Sequence, residues 1–322
     1  MATACALRTP HFEALPLNPK VLRQWCSPEI ILVVTDLTDE DSIQLQAIYQ
    51  ARRSLAKVLL VHLDTPSPGK SCAPRKCPAL ASAQERVERM ARQLRWSGIG
   101  CEPIVVRGLQ PNEIPAVVRS CRADRVIISA PRERSRLAQG SDYIAQELID
   151  ALDIPICVVG RQVPILPRYQ RPTRRITLMV SLSAHDEIPI AFASRFAQEN
   201  RSQLALMHVY PKRTDRARAA DHTVSNLISR LPKGALREAE QICTVELVVR
   251  EGDPAEQILK YDASVNQDSI ILAPPRVDSA IGFGPDSVDA ILRQAGCPVF
   301  IVCEPLVRES SSRTLSLAAY AS

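Results

Sequence analysis

The sequence contains two long stretches that repeat the same order of features at nearly the same spacing. Residues 124–160 read DRVIISAPRERSRLAQGSDYIAQELIDALDIPICVVG, and residues 268–304 read DSIILAPPRVDSAIGFGPDSVDAILRQAGCPVFIVCE. Asp124 corresponds to Asp268 and Gly140 to Gly284, an offset of 144 residues. Solenoid repeats have much shorter periods, of about 20 to 50 residues. The spacing therefore predicts a duplicated domain, and any site has to be considered in two copies.

Each copy alternates apolar strands with helical patterns. The run at Ile30–Thr35 is mostly β-branched, which is typical of a strand buried on both faces of a parallel sheet. Strands alternating with helices predict an α/β fold, with two tandem doubly wound domains. The predicted divisions are an N-terminal extension (1–28) that adds little to the core, domain one (29–160), a linker rich in proline and arginine (161–174), domain two (175–304) and a mobile tail (305–322). In domain two a basic helix is predicted within residues 216–231.

Composition excludes several classes of protein. A hydrophobic content of 46% and a charged content of 23% are ordinary for a soluble globular chain of 322 residues. The net charge of +5 is mild for this length. It does not by itself indicate a nucleic-acid binder, for which a concentrated basic stripe is expected. No apolar run approaches the roughly 20 residues of a membrane span, and residues 1–28 lack the apolar core of a secretion signal. The sequence predicts a reduced, cytoplasmic protein with no membrane and no nucleic-acid partner.

No motif of metal binding or of a known catalytic centre is found. Cys72 and Cys77 lack ligand spacing, and most other cysteines lie in or beside apolar strands, where a free cysteine acts as a small hydrophobe. The run Gly69-Lys70-Ser71 resembles the end of a P-loop, but nearby prolines remove the consecutive N–H groups that cradle a phosphate. We therefore predict no catalytic residue and no metal ligand.

A ligand crevice is expected beyond the carboxyl ends of the strands, where the strand order reverses. Asp36 follows the first strand and Ser129 ends the fourth, so both would face that crevice. Gly140-Ser141 would place N–H groups and a hydroxyl at a helix start, which suits an anion. The alternative is that Ser141 or Asp142 simply caps the helix. His62 and His208 end matching strands and are predicted to be core-edge histidines with internal partners, with contact to a ligand as the alternative.

Several of these motifs occur together in one known family. A strand ending in V-x-D, a second ending in L-V-H-[LV], a G-x-P-x-x-[EQ]-I turn (best matched at 252–258), D-x-[IV]-[IV]-x-[AS], a Gly-Ser loop and C-P-V-x-[IV]-V at 297–302 resemble the universal stress protein family. The match covers about residues 28–160 and 173–304. The resemblance implies two five-stranded parallel sheets of order 3-2-1-4-5 with helices on both faces. It also implies dimer-like domain pairing, and a stress-response role without a fixed enzymatic reaction.

Some members of that family bind ATP through G-x2-G-x9-G-[ST] after strand four, and this chain departs from that pattern. The first two glycines are absent from both loops, which begin SAPR at 129–132 and APPR at 273–276. Proline removes N–H donors, although Arg132 could supply charge instead. The alternative is that Arg132 is a solvated loop residue. If one copy binds ATP, the first is predicted to do so.

The expected contacts in that first copy are few. Asp36 and the backbone of Leu63 would face adenosine, and Gly140-Ser141 would face phosphate. In the second copy Ser181 stands in place of the strand-one aspartate, and Pro285 in place of the serine after the glycine.

Three functional hypotheses remain. The first is a binding or regulatory protein with degenerate nucleotide loops, acting on an unknown protein partner as a homodimer or through intramolecular domain pairing. The second is an ATP-binding switch with slow ATP hydrolysis in domain one. The third, a nucleic-acid binder using the linker arginines, ranks last because only Tyr169 could supply base stacking among them.

Overall fold

The structure is a computed structural model of the whole chain. It describes residues 25–35, 40–64, 78–107, 113–130, 148–149, 151–160, 162–163, 174–182, 186–210, 229, 231–265, 267–273 and 285–302. Within these ranges, no helix combines the length and apolar character needed to cross a membrane.

The first half of the molecule comprises strands β1 to β5. Their bounds, with those of the helices between them, are β1 (Ile30–Thr35), α1 (Glu40–Ser54), β2 (Lys57–Asp64), α2 (Pro78–Trp96), β3 (Cys101–Arg107), α3 (Ile114–Ser120), β4 (Arg125–Ser129) and β5 (Ile156–Val159). Leu148, Ile149 and Ala151, which precede β5, are also helical.

The second half repeats this order. Its elements are β6 (Arg175–Met179), α4 (Glu187–Asn200), β7 (Gln203–Tyr210), α5 (Lys233–Ile242), β8 (Val245–Glu251), α6 (Pro254–Val265), β9 (Ser269–Leu272), α7 (Pro285–Gln294) and β10 (Val299–Ile301).

All these strands form a single sheet of order β3-β2-β1-β4-β5-β10-β9-β6-β7-β8. Each half therefore has the order 3-2-1-4-5 that the family resemblance implied, and that prediction is confirmed. Neighbouring strands within a half are parallel, whereas β5 and β10 pair antiparallel, with Phe300 opposite Cys157. An unpaired β5 would present an open edge to solvent. The two halves cover each other's edges and form one continuous sheet.

The core lies on both faces of this sheet and crosses from one half to the other. Alternate residues of β1 point to opposite faces, so Ile31 and Val33 belong to one apolar cluster and Leu32 and Val34 to the other. Each cluster also contains residues of the second half. Because helices cover both faces of the sheet, its buried strands are continuous apolar runs.

The structure corrects the prediction that the N-terminal extension adds little. Trp25 and Cys26 are helical and buried, each 3% exposed. The backbone oxygens of both accept hydrogen bonds from the buried guanidinium of Arg125. The end of the extension therefore belongs to the core, because its carbonyl groups satisfy a charge inside it.

Helix α5 (Lys233–Ile242) was not predicted from the sequence. Its apolar residues nevertheless recur at helical spacing, at Ala235, Leu236, Ala239 and Ile242, and Ala235 and Ala239 are buried. The basic helix predicted within 216–231 falls largely outside the described residues. Of the two residues described there, Ser229 is helical and Leu231 is not. The predicted mobile tail, residues 305–322, lies entirely outside them.

Candidate functional site

The carboxyl ends of the parallel strands in the first half meet at one edge of the sheet. Thr35 at the end of β1 pairs with His62 of β2, and Ser129 at the end of β4 pairs with Val159 of β5. Strands β1 and β4 are neighbours, and the chain leaves them in opposite directions along the sheet. This is the switch point at which open α/β sheets bind ligands.

Two of the six predicted site residues lie within the described part of the chain. Ser129 ends β4 and is 5% exposed, and its hydroxyl oxygen is fully enclosed without a hydrogen-bond partner there. Leu63 lies in β2, directly after His62, and only its backbone is described. Asp36, Arg132, Gly140 and Ser141 lie outside the described residues, so their roles stay predictions.

The histidine of each half makes the same internal contact. His62 Nδ1 lies 2.9 Å from the backbone oxygen of Thr35, and His208 Nδ1 lies 3.0 Å from that of Val180. A carbonyl oxygen only accepts hydrogen bonds, so Nδ1 carries a proton in both rings. Both rings are buried, at 7% and 8% exposure. The histidine thus tethers β2 to the end of β1 in the first copy, and β7 to the residue that follows β6 in the second.

The backbone leaving β4 offers few donors for a phosphate. The N–H of Ala130 donates to the oxygen of Val159 at 2.9 Å and is therefore used within the sheet. The next residue is Pro131, which has no N–H. In the second copy the corresponding two residues are Pro274 and Pro275. The first two positions after Ser129, and the two corresponding positions in the second copy, thus lack the free N–H groups from which an anion nest is built.

In the second half, the residue in place of the strand-one aspartate bonds to the start of the next helix. Ser181 follows β6 at the position that corresponds to Asp36, and both its N–H and its hydroxyl donate to Asp186 Oδ1 at 3.0 Å. Leu182 follows with φ of 60° and is 4% exposed. The residue in place of the strand-one aspartate is therefore engaged with the start of α4.

The G-x-P-x-x-[EQ]-I turn has a structural explanation. Gly252 has φ of 132°, and a Cβ there would lie 3.1 Å from Gln257 Nε2. The carboxylate of Asp253 accepts the N–H of Glu256 at 2.8 Å, and Pro254 is the first residue of α6. Aspartate as a cap and proline at the first helical position are both favourable. The motif starts a helix and buries Ile258.

A cavity of about 370 Å³ lies between the halves, at the end of the sheet opposite the switch point. Its walls come mainly from the last turns of α1 and α4, and Arg125 lies at its base. Burial lowers the pKa of the Arg125 guanidinium, although nearby acidic groups oppose that shift. The sequence did not reveal this feature, because no local pattern shows that the two helix ends meet.

No group of acidic, cysteine or histidine side chains among the described residues is arranged to hold a metal ion. The cysteines that the structure describes are thiols rather than disulfides, and burial raises the pKa of Cys26 and of Cys157 to about 12. A raised pKa keeps a thiol protonated and unreactive at neutral pH.

The strand order and the paired halves define a tandem α/β protein of the doubly wound type. Residues 172–302 match the family model described as "Universal stress protein family". That segment belongs to the family, and the resemblance predicted from the sequence is confirmed. No curated protein sequence matches the chain significantly.

Solved structures of universal stress proteins share the fold over both halves. One from Archaeoglobus fulgidus DSM 4304 is 16% identical, with a TM-score of 0.63, and covers 87% of this chain and 98% of that chain. A putative universal stress protein from Pseudomonas aeruginosa UCBPP-PA14 is 14% identical, with a TM-score of 0.54, and covers 87% of this chain and 94% of that chain. A functionally unknown protein from Pseudomonas aeruginosa PAO1 is 12% identical, with a TM-score of 0.58, covering 87% and 95%.

Proposed function

We propose that this chain is a tandem universal stress protein that acts as a binding or regulatory protein, without a chemical reaction of its own. Its two nucleotide loops are degenerate, and its output is contact with a protein partner. The family match and the shared fold support the general class. The scarcity of phosphate-binding donors directly after β4 supports the finer statement.

The backbone after β4 carries this proposal. Ala130 has committed its N–H to Val159, and Pro131 has none to offer. A triphosphate held close to a loop needs several backbone N–H groups or glycines that allow close approach. Charge from Arg132 could attract an anion, but it would not replace that close fit.

The second half supports the same view independently. The hydroxyl and the N–H of Ser181 both bond to Asp186, so these groups have internal partners where a nucleotide would be expected. Pro274 and Pro275 add two positions without donors. We therefore assign neither copy a tight nucleotide site.

An ATP-binding switch in the first half is the second candidate. This candidate is favoured by Ser129, which ends β4 at the switch point. The buried hydroxyl of Ser129 has no hydrogen-bond partner among the described residues. A buried hydroxyl without a hydrogen-bond partner lowers the free energy of unfolding by about 1 to 3 kcal/mol. A bound ligand could supply the missing partner. Gly140-Ser141 and Asp36 are also retained in that copy and lost or altered in the other.

Calorimetric titration with ATP-Mg²⁺ separates the two candidates. We expect no saturable heat from the wild-type chain, and none from Gly140→Ala or Asp36→Ala. Tight binding that is lost in both variants, yet kept in the matched second-copy variant Gly284→Ala, would establish the switch instead. Release of ADP by the same wild-type protein would further show slow hydrolysis.

A further inference from the structure

We propose that a second copy of this chain pairs with strand β8 antiparallel, edge to edge, and doubles the sheet. This inference is independent of whether either half binds a nucleotide. It rests on the hydrogen-bonding pattern at the two outer strands, β3 and β8, and on the order of charges along β8.

Within the described part of the chain, no other strand pairs with the outer side of β8. Leu204 N–H donates to Thr244 oxygen at 2.9 Å, and Gly252 N–H donates to Tyr210 oxygen at 2.9 Å, so even-numbered residues of this stretch face β7. Alternate residues of an edge strand point their N–H and C=O groups outward. Those of Val245, Leu247, Val249 and Glu251 therefore point away from the sheet.

The other outer strand carries a block that β8 lacks. Val58 N–H donates to Gly100 oxygen at 2.8 Å, so the odd-numbered residues of β3 face outward, and one of them is Pro103. The strand registers place Val105 beside His62 and Val249 beside His208, which makes Leu247 the counterpart of Pro103. Proline on an edge strand removes a donor and prevents pairing with another chain. The first edge is thus protected by its proline, whereas β8 has no proline and pairs with no further strand among the described residues.

The charges of β8 complement themselves when the strand is reversed. Antiparallel pairing centred on Val248 places Glu246 of one copy opposite Arg250 of the other, twice, in positions where cross-strand side chains are closest. The outward backbone groups then face one another as hydrogen-bonded pairs. If the register moves by two residues in either direction, Glu246 stands opposite Val248 or Gly252 of the other copy and loses its charged partner. The charges therefore favour the register centred on Val248.

Both charged side chains are already held on one face of the strand. Glu246 Oε2 lies 3.2 Å from Arg175 Nη2. The Arg250 guanidinium lies 5.8 Å from the centre of the Tyr261 ring. On the opposite face Val245, Leu247 and Val249 pack on the core but are only partly buried. A second copy would cover the remaining exposure of these apolar side chains.

Sedimentation of the full chain over a range of concentrations tests the proposal. We expect a reversible monomer–dimer equilibrium for the wild type. Leu247→Pro gives the second edge the block that the first already has, without removing a donor from the β7 ladder, and we expect a monomer. Thermal unfolding confirms that this variant is folded.

Charge variants give a second test that does not depend on proline. Glu246→Arg or Arg250→Glu alone sets like charges opposite each other, and we expect dimer affinity to fall by more than about tenfold. The double variant Glu246→Arg, Arg250→Glu restores opposite charges across the interface, and we expect dimerisation to recover. Glu102→Arg, at the corresponding position of β3, is the matched control and leaves the equilibrium unchanged.

A wild-type chain that stays monomeric at all concentrations overturns the proposal. A dimer that survives Leu247→Pro places the interface elsewhere on the molecule. A double charge variant that fails to recover refutes the register centred on Val248.

Discussion

The guanidinium of Arg125 lies between the two halves of the molecule and is 2% exposed. It donates to Gln50 Oε1 at 3.0 Å and to the backbone oxygens of Trp25 and Cys26. It also lies 5.6 and 5.5 Å from the ring centres of Phe196 and Phe300, which belong to the second half. A single side chain therefore joins the N-terminal segment, α1 and the second half.

Arg125→Met tests this role. Methionine keeps much of the packing volume but leaves buried acceptors without donors, so we expect the free energy of unfolding to fall by about 2 to 4 kcal/mol. Urea unfolding measures the change. The control is Arg89→Met on the exposed face of α2, which should change stability by less than about 0.5 kcal/mol. Equal effects of the two substitutions would contradict the role.

The thiol of Cys157 should make stability depend on alkaline pH. Burial raises its pKa from 9.0 to about 12, while the hydrogen bond from Gln50 opposes the shift. Because the folded-state pKa is the higher one, the stabilisation is complete below pH 9.0 and is lost as pH rises towards about 12. We expect the free energy of unfolding to decline between about pH 9 and about pH 12.

Cys157→Ala should make that decline shallower, because the alanine has no proton to release. Val158→Ala, at the neighbouring position of β5, is the control: it removes buried carbon atoms but should keep the wild-type pH slope. An unchanged slope in Cys157→Ala would mean that other groups dominate the alkaline loss.

At the scale of single elements, two glycines near helix starts predict opposite effects of the same substitution. Gly252 has φ of 132°, a conformation that strains any residue with a Cβ, and that Cβ would also lie 3.1 Å from Gln257 Nε2, so Gly252→Ala should destabilise the protein by more than about 1 kcal/mol. Gly234 lies in α5 with no atom within 4 Å of the methyl group that alanine would add, so Gly234→Ala should stabilise it by about 0.5 kcal/mol. Thermal unfolding of both variants measures this, and equal signs would refute the assignment of the turn.

At the scale of the whole molecule, the two halves share one sheet and one pair of apolar clusters. Phe300 stands opposite Cys157 in the antiparallel pair, and its ring centre lies 4.7 Å from that of Phe196. Since breaking this seam would expose an apolar strand edge in each half, separate unfolding of the halves is unfavourable. We expect one calorimetric transition.

Phe300→Ala should lower the stability of the whole molecule by about 3 to 5 kcal/mol while the transition stays single. Phe300 is 0% exposed, whereas Trp96 is 85% exposed, so Trp96→Ala is a control of similar chemistry that should have little effect. Two resolved transitions, only one of which moves in Phe300→Ala, would show that the halves unfold independently.

The sequence alone determined the features that repeat or alternate over short distances. Buried strands such as Ile30–Thr35 are continuous apolar runs, and the paired histidines occupy corresponding positions in β2 and β7, so both followed from local pattern and duplication. The strand order 3-2-1-4-5 followed from the family resemblance. Of the predicted site, Ser129 lies at the switch point, while Asp36, Arg132, Gly140 and Ser141 remain untested predictions.

The tertiary structure decided what depends on surfaces far apart in the chain. The antiparallel joining of β5 to β10, the burial of Trp25 and the enclosure of Arg125 by rings of the other half have no local signature. Local sequence specifies the hydrophobic period of an element and which of its faces is buried. Which element packs against it depends on the free energy of covering strand edges and of pairing buried charges, and these groups meet only in the folded chain.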